Sequence, residues 1–238
     1  MKSKTKILAR VMTVFCLIFL MISCDKKPKD GSGNKYDVVK IGDQCWLKQN
    51  LRTTKYNDGT PIHAFIENNS DCHINKTGWY ADQGPVHSKD SILYGRFYNW
   101  YAVNSGKLAP KGWHVATRAD WDKLDNFLGK DGKGINANKL RTTQGWRDNL
   151  KIGDGLDTYG FSAVPTGYKN FGSNYFEDVE GQTQCIIFWT STWDSKHICP
   201  DDGKSYPYST LVSMGNSMLL KDQPWCEGFG CSVRCVKD

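Results

Sequence analysis

The chain has 238 residues, of which 39% are hydrophobic and 24% charged, enough apolar content for a packed core and too much for a disordered chain. A mean hydropathy of −0.55 excludes a multi-span membrane protein. The formal charge of +6 would suit a nucleic-acid partner only if it were spread over the folded part, and it is not.

The excess sits at the N-terminus, where Lys2, Lys4, Lys6 and Arg10 precede an apolar run from Val11 to Ile22. That run falls short of the roughly 20 residues a helix needs to cross a bilayer, but it fits the h-region of an export signal. It ends in Leu20-Met21-Ile22-Ser23-Cys24, which resembles the lipobox of bacterial lipoproteins. The resemblance implies a signal peptide over residues 1–23, cleavage before Cys24, and lipidation of Cys24. Of the 31 basic residues, four leave with the signal, so 27 remain against 25 acidic ones. No basic stripe is left to neutralise phosphates, and no nucleic-acid partner is expected.

Residues 24–35 are charged and polar, without an apolar group to bury, and are expected to form a flexible tether from lipid to domain. Acidic and lysine residues directly behind the lipid cysteine also resemble surface-export signals of Bacteroidetes lipoproteins. They imply an outer-membrane, surface-exposed location.

One domain is expected over residues 36–238. Tyr36 to Ile41 and Gln44 to Leu51 read as a hairpin about Gly42-Asp43, and residues 52–93 as a long polar stretch of loops. Tyr94 to Val103, aromatic all round, predicts a short helix stopped by Ser105-Gly106. Thr117-Arg-Ala-Asp120 is a variant capping box. Trp121, Leu124, Phe127 and Leu128 follow it at helical spacing, up to Gly129. Ile135 to Leu140 can add a turn. Phe161–Val164, Cys185–Thr192, Tyr208–Met214 and Ser232–Val236 read as strands.

Seven cysteines remain after Cys16 and Cys24 are set aside: Cys45, Cys72, Cys185, Cys199, Cys226, Cys231 and Cys235. In an exported chain disulfides are the default, and an odd number leaves at least one thiol over. The Cys226, Cys231 and Cys235 spacing is looser than zinc sites favour, so no metal or other cofactor is expected.

Four stretches in order carry a family resemblance: Ile41-Gly-Asp-Gln-Cys-Trp-Leu-Lys-Gln-Asn-Leu51, Tyr94-Gly-Arg-Phe-Tyr-Asn-Trp-Tyr-Ala102, Pro110-Lys-Gly-Trp-His-Val-Ala-Thr-Arg-Ala-Asp-Trp121 and Ser232-Val-Arg-Cys-Val-Lys-Asp238. Together they resemble the Fibrobacter succinogenes major paralogous domain. The resemblance implies an α+β, C-type-lectin-like fold: a mixed antiparallel sheet with two short helices and long loops. It implies no activity. Members often carry a cysteine where this chain has Ala109. Because the implied fold brings the first and last strands together, it favours a Cys45–Cys235 disulfide.

No catalytic constellation emerges. His114 lacks a neighbouring nucleophile and reads as a packed, hydrogen-bonded side chain. Asn57-Asp58-Gly59 and Asp201-Asp202-Gly203 offer oxygens to calcium but are explained by turn formation. Trp193, Asp194 and Trp225 fall in predicted loops, where they would present stacking surfaces to a glycan or a protein partner. Asp90-Ser91-Ile92 matches a short O-glycosylation sequon of Bacteroidetes. The sequence thus leads to a lipid-anchored, non-catalytic binding module. The other readings are a cysteine- and metal-dependent oxidase related to sulfatase-modifying enzymes, and a structural surface component.

Overall fold

The computed structural model describes residues 27–66, 76–83, 91–129, 135–146, 155–169, 185–198, 205–213, 219–224 and 227–238. In chain order its strands are β1 (Val38–Ile41), β2 (Gln44–Leu47), β3 (His63–Ala64), β4 (Trp79–Asp82), β5 (Arg96–Tyr98), β6 (Trp113–Val115), β7 (Cys185–Ile198), β8 (Ser205–Ser213), β9 (Leu219–Pro224) and β10 (Cys235–Lys237). The described helices are α1 (Ser91–Tyr94), α2 (Trp100–Asn104) and α3 (Arg118–Leu128), with a 3₁₀ turn over Ile135–Lys139. This is an α+β architecture, as expected.

The central sheet has the order β1-β2-β10-β6, beside two three-stranded sheets, β3-β4-β5 and β7-β8-β9. The hairpin forms where the sequence places it, with Ile41 opposite Gln44 and Gly42 in the left-handed region at φ 61°. β10 lies between β2 and β6, with Val236 opposite both Trp46 and His114. Strand alternation then gives the sheet two buried faces. Trp46 and Val236 pack with Trp121, Leu124 and Leu128 of α3 and with Phe161 and Phe188. Leu47, Cys235 and Val115 pack with Trp100, Ala102 and Val103 of α2. β7 serves both cores, placing Ile186 and Phe188 in the first and Ile187 and Trp189 in the second.

The capping box at α3 is present in full: Thr117 accepts from the Asp120 amide, and the Asp120 side chain accepts from the Thr117 amide. Phe127 is largely exposed rather than core, and its ring lies against Gly42 and Tyr159. The single helix expected over Tyr94–Val103 is instead α1, a strand and α2. Gly95 turns the chain at φ 78°, with the space of its missing Cβ already taken by Asn50. Phe97 and Tyr98 then adopt the strand conformation that aromatics favour, and Asn99 caps α2 by accepting from the Ala102 amide. Two short strands, β3 and β4, form in the stretch expected to be loop. Phe161–Val164 is not a strand but a single bridge, Arg141 to Ala163, because Ser162 sits at φ 54°.

Residues 28–35 also depart from the expected tether. They form a turn closed by the Lys29–Lys35 bridge and organised by one carboxylate. Asp30 accepts from the Ser32 and Asn34 amides (2.9 and 3.0 Å), from Asn34 Nδ2 (2.8 Å) and from the Tyr36 hydroxyl (2.6 Å). Ser32 Oγ meets Thr53 and Thr54, and Gly31 lies directly on the backbone of Lys55 and Tyr56. Composition gave this segment no apolar group to bury, but an Asx-type turn needs none. It is a clip fastened to the domain. Cys24 and the signal peptide lie outside the described residues.

The Cys45–Cys235 pairing is corrected by the register. Val236 faces Trp46, so Cys235 stands opposite Leu47 and Cys45 opposite Lys237. The two cysteines are diagonal neighbours, at the roughly 7–8 Å of that geometry and beyond the span of a disulfide. Cys235 is a buried thiol. Cys45 is disulfide-bonded, to neither Cys231 nor Cys235. Burial pushes the Cys235 thiol well up, against the opposing pull of Arg234. Since the thiolate is the reactive form, alkylation of the native protein is expected to spare Cys235, with labelling appearing only on denaturation. Rapid native labelling at Cys235, read by peptide mass, would contradict the assignment.

Candidate functional site

A groove of about 430 Å³ opens at the end of the β1–β2 hairpin away from its turn. Ile92 and Leu93 of α1 and Val164 give it apolar walls, while Lys48, Gln49, Thr142 and Ser162 supply its polar atoms. Ile92 is 67% and Leu93 46% exposed, an adjacent apolar pair that no core of the described residues covers.

The groove is held by a buried cation. Arg234, in the segment entering β10, donates Nε to Asn50 Oδ1 (2.7 Å). Its Nη1 reaches the Leu47 and Phe161 carbonyls (2.8 and 2.7 Å), and its Nη2 the Ser162 carbonyl (3.0 Å). The guanidinium lies 4.4 Å from the centre of the Phe161 ring. Burial lowers its pKa to about 9, with Asp157 pulling the other way, so it stays charged at neutral pH. Asp157 accepts from both the amide and the hydroxyl of Ser162 at 2.7 Å, holding that residue in its left-handed conformation. Asn50 donates Nδ2 to the Tyr94 carbonyl (2.9 Å) and so fixes α1 to the same frame.

Most polar groups of the wall are already engaged. Gln49 exchanges hydrogen bonds with Asp37, accepting from its amide and donating to its carboxylate, both at 2.9 Å. Thr142 Oγ1 donates to the Gln144 carbonyl and accepts from Trp146 Nε1. Lys48 makes no ion pair among the described residues. Among its described lining residues such a groove offers an apolar bed with one cation beside it, and no nucleophile–base pair.

Trp193 occupies a different place. It lies in β7 rather than in a loop, at a register shift of that strand opposite Pro207. It is 39% exposed, and its ring rests on the buried Trp100 of α2 at 4.8 Å with a 60° tilt. Asp194 follows in the same strand, its side chain outside the described set, and Trp225 lies outside the described residues.

His114 bridges two carboxylates, Nδ1 to Asp238 (2.7 Å) and Nε2 to Asp120 (3.0 Å). Asp120 also receives the Thr117 hydroxyl (2.5 Å) and amide (2.8 Å). The Asp120 hydrogen bond, opposed by burial and helped by Asp238, raises the histidine. Burial alone would raise Asp120, but His114 and Thr117 outweigh it and hold the carboxyl at about 2. With both ring nitrogens engaged by carboxylates, His114 clasps β6, α3 and Asp238 together; it is hydrogen-bonded as expected, but partly exposed rather than packed.

The sign of its pH dependence follows. A raised histidine stabilises the fold fully below its ordinary 6.5 and ceases to as pH rises through the folded value. The lowered Asp120 contributes above its ordinary 3.8 and ceases to as pH falls towards about 2. The stability lost in His114→Gln is therefore expected to be largest in the mildly acidic range and to shrink on both sides. Urea midpoints for both proteins across pH check this, and a difference independent of pH would contradict it.

The Asp58 turn is explained without a metal: its carboxylate accepts from Thr60 and pairs with Lys107 at 2.8 Å, with Gly59 at φ 90°. Asp201 and Asp202 lie outside the described residues. Sequence reasoning missed Arg234, Asn50, Asp157 and the Ile92–Leu93 pair. The available signal was Arg234 itself, a charge at an inward-facing strand position between Val233 and Cys235.

A family model described as the Fibrobacter succinogenes major domain matches residues 39–237. No curated protein and no solved structure matches the chain.

Proposed function

The chain belongs to the Fibrobacter succinogenes major domain family, and from that premise we propose that it is a cell-envelope lipoprotein working as a non-catalytic binding module, anchored through Cys24 in the outer membrane. Its domain would take the lectin-like arrangement that the family resemblance implies. Adjacency of the first strands and the last one in a single sheet supports that reading. The ligand would be a glycan or a protein partner displayed at the cell surface.

The observation that carries the proposal is Trp193. A large aromatic that is 39% exposed and rests on a buried tryptophan has little side-chain freedom to lose when a sugar ring or an apolar side chain meets its exposed part. Exposed tryptophans of this kind dominate recognition energetics.

The test is an oligosaccharide array probed with the purified domain-bearing chain and with Trp193→Ala. Binding to one glycan class, weakened at least about tenfold (about 1.4 kcal/mol) in the variant, is expected, with the thermal midpoint almost unchanged. Loss of folding in the variant, or array binding indifferent to the substitution, would remove Trp193 from the binding surface.

A further inference from the structure

We propose that the end of the domain bearing the clip and the Ile92–Leu93 pair is a docking face for the bilayer surface, so that the module stands upright on its membrane. The inference rests on the lipidation of Cys24 proposed above and adds the orientation that follows once the tether is short.

Chain length supplies the first argument. Pro28 is already fixed, since its carbonyl accepts from the Tyr36 amide (3.2 Å). Only residues 25–27 separate it from Cys24, and four steps of fully extended chain reach at most about 14 Å. The headgroup layer occupies about 5–7 Å on each side of the hydrocarbon, so a lipidated Cys24 would hold the clip close to the headgroups. A flexible tether of twelve residues, by contrast, would leave the domain free to rotate.

Charge supplies the second. Lys27, Lys29, Lys35 and Lys55 are all exposed around the clip. The carboxylates among them are engaged: Asp30 is buried in its own turn, Asp37 pairs with Lys27 at 2.5 Å, and Asp82 nearby pairs with Arg96 at 2.7 Å. A net cationic rim of this kind complements anionic headgroups.

Apolar surface lies at the same end. Gln49 shares the groove with Ile92 and Leu93, is bonded to Asp37, and through it reaches Lys27. The exposed pair is thus only two side chains from the tether. Two adjacent aliphatic residues beside a lysine rim suit the boundary between headgroups and acyl chains. At the hairpin's other end, Asp43 and Lys123 pair in solvent at 2.9 Å, which makes Lys123 an internal reference.

The test is lysine acetylation of the lipoprotein extracted from its envelope and reconstituted in phosphatidylcholine–phosphatidylglycerol vesicles. The comparison is the same protein with a long Gly/Ser insertion between Lys27 and Pro28, which keeps the clip and frees the domain. Lys29, Lys35 and Lys55 are expected to react several-fold more slowly in the wild type than in the insertion variant, with Lys123 equal in both. The same digest reports the Cys24 peptide. A lipidated Cys24 with equal lysine reactivity in the two proteins would overturn the docking face alone, whereas an unlipidated Cys24 would overturn the anchoring reading and the docking face with it.

Discussion

Arg234→Met is expected to destabilise the domain by about 3 kcal/mol, read as a lower urea midpoint at unchanged slope. The substitution fills a similar volume and returns the cost of burying a cation, which is real, since burial depresses this guanidinium to about 9. Against that gain it orphans the Asn50 carboxamide oxygen and the Leu47, Phe161 and Ser162 carbonyls. Buried acceptors left without a donor cost about 1–3 kcal/mol each. Even at the low end, several of them outweigh the recovered desolvation. Arg234→Lys is expected to recover only part, because one ammonium cannot reproduce a planar fork aimed at four acceptors. A Met variant as stable as the wild type would mean that the guanidinium merely occupies space.

Trp46→Ala is expected to cost about 3–5 kcal/mol, the range for deleting a large buried aromatic. Trp46 is fully buried, 4.9 Å from the Trp121 ring and 5.6 Å from that of Phe161, and it stands opposite Val236 where the last strand joins the first hairpin. Its loss opens a cavity between the sheet and α3. The Trp46 Nε1 atom has no hydrogen-bond partner among the described residues, so packing rather than polarity holds the ring. Trp46→Phe is accordingly expected to retain most of the stability that the alanine variant loses. Equal losses in both variants would point instead to a hidden role of the indole nitrogen.

These two residues mark what the sequence reveals. Trp46 and Trp121 were legible because each announces its place locally: one alternates along a hairpin flagged by Gly42-Asp43, the other follows a capping box at helical spacing. The aromatic run after Tyr94 was not legible, because its composition suits a helix and a strand equally. What decides is the close approach of Gly95 to Asn50, a contact 45 residues away along the chain. The clip escaped for a related reason. Low hydrophobicity argues against a core, yet four donors converging on Asp30 order a turn without one. The groove joins residues from Lys48 to Val164, and no single window carries its pattern. Trp193 stands out in the sequence for its bulk and chemistry, while its strand setting and its contact with Trp100 emerge only in three dimensions.

The anchored-module account is tested most directly by the intact mass of the protein extracted from its native envelope. The account predicts a chain that begins at Cys24 and carries the added mass of two or three acyl chains. A chain still bearing residues 1–23, or one beginning at Cys24 with an unmodified thiol, would contradict it.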